Sequence, residues 1–160
     1  MAFSYTLDIA TPMSTLDVAD KLVQTATDAH LLQSPTASEV LLDEGAVTVH
    51  GTWLRVIEED EEPDPDDPLI KNLGIAASTT VIFRYKKNVY AQEQDDDVVL
   101  LASRLLEKVP GDAVLHIDYE SAKLVRRAGK TSLSEDTELW TPGRLTLISQ
   151  EYDRTTYKID

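Results

Sequence analysis

Apolar and polar residues alternate over residues 3 to 9, with Phe3, Tyr5, Leu7 and Ile9 set against Ser4, Thr6 and Asp8. A period of two buries one face of a strand, so this stretch predicts the first strand. After Thr11 and Pro12, Ser14 stands three residues before Asp17, and Leu16, Ala19, Leu22, Val23 and Ala26 follow at helical spacing. A capping-box-like start and an apolar stripe together predict a helix over Ser14 to Ala29. Glu39 to Leu42 is a short apolar run, Asp43-Glu44-Gly45 supplies turn chemistry, and Val47, Val49, Trp53 and Val56 are the types strands favour, which predicts a hairpin around that turn.

Asp67-Pro68 places an N-cap type before a proline suited to the first helical position. With Leu69, Ile70 and Leu73 ahead of Gly74, it predicts one or two helical turns. Thr79 to Tyr85 returns to strand character, with Val81, Phe83 and Tyr85 on one face. Asp95-Asp96-Asp97 precedes Val98, Leu101, Ala102, Leu105 and Val109, which sets three carboxylates at the positive end of a second long helix that Pro110-Gly111 ends. Leu115, Ile117 and Tyr119 alternate with Val114, His116 and Asp118, Lys123 to Arg127 forms a hairpin partner, and Arg144 to Ile148 reads as a last strand. The predicted order is β-α-β-β-(short α)-β-α-β-β-β. It implies an α+β fold, a largely antiparallel sheet with two main helices packed on one face. Residues 1–160 are expected to form a single domain with a loop at 58–67, since 160 residues are one ordinary domain's worth.

Composition narrows the function classes. At 42% hydrophobic the chain can fill a core, and with no cysteine it has neither disulfide nor thiolate chemistry. Lys plus Arg is 15 against 29 for Asp plus Glu, so a net charge of −14 repels phosphate backbones and anionic lipid. Neither a nucleic-acid nor a membrane partner is expected. The opening residues lack the basic, apolar and small-residue order of a secretory signal, which reads as cytoplasmic.

Much of the charge sits in one place. Residues 58 to 67 read EEDEEPDPDD, and Glu58, Glu59, Asp60, Glu61, Glu62, Asp64, Asp66 and Asp67 account for −8 of the −14. Repulsion and two prolines oppose helix and strand there, so a solvated loop is expected. These eight residues are the candidate partner-binding set, because complementary fields speed the capture of a basic partner. The central glycine and position-twelve glutamate of a calcium loop are missing, so any calcium binding would be weak. Seven of the fifteen basic residues fall in two strand regions (Arg84, Lys86, Lys87 and Lys123, Arg126, Arg127, Lys130) and, in a chain of negative overall balance, read as solvated or ion-paired strand faces.

Catalytic motifs are wanting. Gly129-Lys130-Thr131 imitates a P-loop end, but Leu124 stands where the first glycine belongs, and there is no GxGxxG or GxSxG. His30, His50 and His116 are far apart and have no cysteine to complete a zinc shell, so no metal or cofactor is expected. Alternation puts His116 and Asp118 together on the face opposite Leu115, read as a solvent-facing pair. Trp53 and Trp140 read as core residues.

Four blocks carry a resemblance: MAFSYTLDIATP at residues 1–12, TVIFRYKK at 80–87, LLEKVPGDAVL at 105–115 and WTPGRLTL at 140–147. The chain resembles the Sit-type immunity family of bacterial polymorphic toxin systems. The resemblance implies a small bacterial cytoplasmic protein, not an enzyme, that binds a cognate protein toxin and blocks it by occlusion. A basic toxin would suit a −14 inhibitor. Two alternatives stay open, an enzyme of unrecognised class, which needs a concave pocket with convergent polar groups, and a housekeeping adaptor or assembly subunit with an exposed apolar patch.

Overall fold

A computed structural model describes residues 3–59, 64–87, 89 and 91–159. In chain order the elements are β1 (Ser4–Ala10), α1 (Thr15–Asp28), α2 (Ser38–Leu42), β2 (Ala46–Val47), β3 (Trp53–Glu58), α3 (Pro68–Leu73) and β4 (Thr79–Arg84). They continue with α4 (Ala91–Lys108), β5 (Asp112–Ile117), β6 (Ser121–Arg127), β7 (Lys130–Leu133), α5 (Pro142–Leu145), β8 (Tyr152–Arg154) and β9 (Tyr157–Lys158). Among the described residues the strands form one sheet in the order β2-β3-β4-β1-β5-β6-β7-β8, with β9 also on β6. Every pairing is antiparallel except β7 with β8. The fold is α+β, as the pattern implies.

Alternation along the inner strands assigns the faces. Tyr5, Leu7, Ile9, Leu54, Val56, Val81, Phe83 and Leu115 share one buried cluster with Val18, Leu22 and Ala26 of α1 and Val98, Leu101 and Leu105 of α4. Each of these larger apolar side chains contributes about 1.5–3 kcal/mol of transfer free energy. Ser14 caps α1 by accepting from the Asp17 amide at 3.1 Å, as its spacing predicts. The opposite face is not left open to water. Leu69, Leu73 and Ile75, together with Ile159, pack on Val114, Ala122 and Val125 as a second apolar cluster. The α3 helix is held there by its predicted ends, with Asp67 accepting from the Leu69 amide at 2.8 Å and Gly74 left-handed at φ 68°.

This second layer overturns the reading of His116 as solvent-facing. His116 is 1% exposed and lies 2.7 Å from Asp8 Oδ2, while Asp118 sits exposed in the following turn with φ 52°. Asp8 is itself buried on β1, two residues along from Thr6, the register partner of His116, and the diagonal pair satisfy each other.

Three local expectations fail for one reason, a polar side chain with a distant partner. The hairpin turns at Thr48 to Thr52, not at Asp43-Glu44-Gly45, and residues 38–42 are helical. Asp97 reaches from α4 to gather the Thr48 and Thr52 hydroxyls at 2.8 and 2.9 Å, which fixes that turn. The α4 helix starts at Ala91, so Asp95 to Asp97 stand one turn inside it, where they bind specific partners. Arg144 to Ile148 is no strand. Thr141 caps α5 with Pro142 behind it, and the buried Arg144 guanidinium donates to the Glu138, Leu139 and Gln92 carbonyls and to Asp96 at 2.8 Å. The last strands are β7, β8 and β9 instead.

The four stretches 1–12, 80–87, 105–115 and 140–147 supply framework contacts. Trp140 is buried and donates to the Lys123 carbonyl and Ser134 hydroxyl. At Gly111, with φ 112°, a Cβ would lie 1.9 Å from the Ala10 carbonyl oxygen, so only glycine lets the chain pass β1 there. Arg126 donates to Leu106, Val109 and Gly111 carbonyls and closes the end of α4, and Lys123 pairs with Asp136 at 3.2 Å. Arg84, Lys86, Lys87, Arg127 and Lys130 are exposed.

Candidate partner-binding surface

The acidic segment begins as strand and ends as helix. Glu58 closes β3 and is exposed, and the Glu59 amide extends the ladder by one bond to the Ser78 carbonyl at 3.0 Å. Asp60, Glu61 and Glu62 lie outside the described residues. Asp64 accepts from the Asp66 amide at 2.9 Å and Asp67 caps α3, so two carboxylates of the segment fold their own backbone. Glu58, Glu59, Asp64 and Asp66 are exposed, as expected of a solvated run.

The start of the segment is linked through hydrogen bonds to a residue that the sequence does not single out. Tyr119 follows Asp118 in the β5–β6 turn, and both have positive φ, 52° and 57°. A bulky residue in that conformation costs about 1–2 kcal/mol. It is held by its ring, which lies 4.4 Å from that of His116, and by its amide, which donates to His116 Nδ1 at 3.3 Å. With Nδ1 accepting, Nε2 is the nitrogen that donates to Asp8, which fixes the tautomer from the geometry. The other Asp8 oxygen lies 2.6 Å from the Thr80 hydroxyl, which also contacts Glu59 Oε1. Glu59 is thereby tied through Thr80, Asp8 and His116 to the ring beneath Tyr119.

Tyr119 remains 41% exposed. Its phenol is pushed up to about 12, first by burial and then by the negative charges of Asp8, Asp67 and Glu59. The same charges that resist a phenolate favour a cation. An exposed aromatic face among carboxylates from both ends of the acidic segment is suited to an arginine or lysine of a partner. The only hint of this in the sequence is an Asp-Tyr pair where strand alternation stops.

A second titratable group lies elsewhere. Asp97, 1% exposed, sits 2.7 Å from His50 Nδ1, and His50 Nε2 faces Glu93 at 3.3 Å. His50 is held above its usual value, chiefly by that hydrogen bond to Asp97 against a smaller lowering by burial. An open hollow of about 380 Å³ adjoins the pair, lined by Leu31, Leu100, Thr141, Arg144 and Leu147 among others. Both neighbouring hydroxyls, Thr48 and Thr52, donate to Asp97 and not to the imidazole, so neither is activated as a nucleophile. Across the same helix, Tyr85 donates to Asp95, whose carboxyl is raised mainly by burial, and Arg144 stands 3.7 Å away. These contacts fasten α4 to the hairpin turn and to α5.

A family model described as SitI3-like matches residues 3–144. The chain belongs to the SitI3-like family. That membership suggests an immunity protein, and with it a toxin partner and a non-enzymatic role. Neither the search of curated proteins nor the search of solved structures finds a match. The SitI3-like match takes in the acidic segment, Tyr119 and the first residues of α5, with β8 and β9 beyond it. No helix among the described residues is long and apolar enough to cross a membrane.

Proposed function

We propose that this SitI3-like protein neutralises a cognate bacterial toxin in the cytoplasm by covering its working surface, without chemistry of its own. The contact surface is the acidic segment Glu58 to Asp67, including Asp60, Glu61 and Glu62, with Tyr119 as its aromatic anchor. The observation that supports this reading most is the chain of contacts from Glu59 through Thr80, Asp8 and His116 to an exposed, conformationally costly tyrosine. Tyrosine and arginine dominate the energetics of protein interfaces, and a tyrosine ringed by carboxylates selects a basic counterpart. A toxin that itself binds a polyanion, such as a nuclease, presents such a surface.

Specificity follows from the same arrangement, because carboxylates repel wrong partners as well as attracting the right one. The test is co-expression. The wild-type chain is expected to rescue cells from a toxin encoded beside its gene, and a chain with Glu58, Glu59, Asp64 and Asp66 changed to their amides is expected to rescue poorly while remaining folded. Rescue that is indifferent to those four changes and to Tyr119→Asn would defeat the assignment of the surface. Failure to rescue from any neighbouring toxin would defeat the function.

A further inference from the structure

The outer side of the sheet at β3 is only partly covered. β2 spans Ala46–Val47 and pairs with Leu54 and Trp53, and among the described residues no strand lies outside Arg55 to Glu58. The direction of the main-chain groups follows from the ladder. The Glu59 amide bonds toward β4, at Ser78, and the Thr52 carbonyl accepts from Thr48 on the β2 side, so odd-numbered residues turn their amides and carbonyls inward and even-numbered ones outward. Val56 and Glu58 therefore present N–H and C=O groups to the open side, and no hydrogen-bond partner for them occurs among the described residues.

An open groove of about 390 Å³ runs along this edge, walled by Ser14, Thr15 and Leu16 of the α1 start and by Leu42 of α2. Leu16 is 41% exposed. Arg55 also borders the groove, but strand alternation sends its side chain to the face away from Val56. Glu58 lines the groove at the end where the acidic segment begins, and Asp17, Asp43 and Glu59, exposed like Glu58, follow the lining residues Leu16, Leu42 and Glu58 in the chain.

We propose that the β3 edge binds an extended, lysine- or arginine-bearing segment of the toxin as an added strand, its main chain bonding to Val56 and Glu58 and its apolar side chains lying along Leu16 and Leu42. This deepens the neutralisation reading and rests on it for the identity of the partner. Charge selects the occupant. A second copy of this chain would bring another net −14 to an edge already flanked by carboxylates, whereas a basic strand is attracted to it.

The probe is an alternating Lys-Val peptide of about eight residues, a common strand length, added to the isotopically labelled full chain with amide exchange read by NMR. Exchange at Val56 and Glu58 is expected to slow by about tenfold, while Arg55 and Ile57, already bonded to β4, change by less than about twofold. A Glu-Val peptide is expected to have no effect, and Leu16→Arg, a change at an exposed site, to abolish the response to Lys-Val without altering the melting temperature. Unchanged exchange at Val56 and Glu58, equal response to both peptides, or the same protection arising from self-association without peptide would each overturn the proposal. In the toxin complex, rescue without protection at these two amides discards the added strand and keeps neutralisation. Protection by peptide with no toxin rescued does the reverse.

Discussion

Replacing Tyr119 by asparagine separates a binding role from a structural one. The ring is 41% exposed, so rather more than half of an aromatic's transfer free energy is at stake, about 1–2 kcal/mol, with the stack on His116 adding about 1 kcal/mol. Asparagine tolerates left-handed backbone, so about 1 kcal/mol is regained at φ 57°. The expected net loss of stability is therefore about 1–2 kcal/mol, read as a shift in urea midpoint at constant slope. If the tyrosine is an interface anchor, affinity for the toxin falls by more, about 2 kcal/mol or roughly 30-fold in Kd by titration calorimetry. Tyr119→Phe keeps the ring and is expected to bind within about twofold of wild type. A stability loss above about 3 kcal/mol with an unchanged Kd would make Tyr119 a structural residue with no part in the interface.

Other consequences concern the framework. Arg144→Met leaves Asp95 and Asp96 without their cation and three carbonyls without a donor, and is expected to cost about 3 kcal/mol, seen as a lowered Tm. Gly111→Ala forces a Cβ into the Ala10 carbonyl and should destabilise by more than about 2 kcal/mol, measured in the same denaturation series. His50 is raised above its unfolded value of 6.5 by Asp97, so its contribution to stability is complete below about pH 6.5 and is lost as pH rises through the folded value. The stability difference between wild type and His50→Gln is accordingly expected to shrink with rising pH, and an Asp97→Asn background should flatten that trend.

Much of the fold can be read locally because local chemistry determines it. Ser14 and Asp67 cap the helices their spacing predicts, and the period of two places β1, β4 and β5 with their apolar faces on α1 and α4. What cannot be read depends on contacts far apart in the chain. Asp97 is 49 residues from Thr48, yet it sets the hairpin turn, and Arg144 turns a strand-like run into a capped helix by reaching Asp96 across 48 residues. His116 looks solvent-facing until α3 covers its side of the sheet, a contact that alternation along β5 cannot anticipate. Of the candidate surface, the acidic run is plain in the sequence, while Tyr119 is not, because its exposure depends on a turn that breaks the strand period.

Whether the acidic segment steers the toxin onto this surface is read from the association rate of chain and toxin, measured by stopped flow as ionic strength rises from about 0.02 to 0.5 M. The wild-type rate is expected to fall by about tenfold or more, and the four-amide variant at Glu58, Glu59, Asp64 and Asp66 to start slower and vary little with salt. Parallel salt dependence in both proteins would contradict such steering.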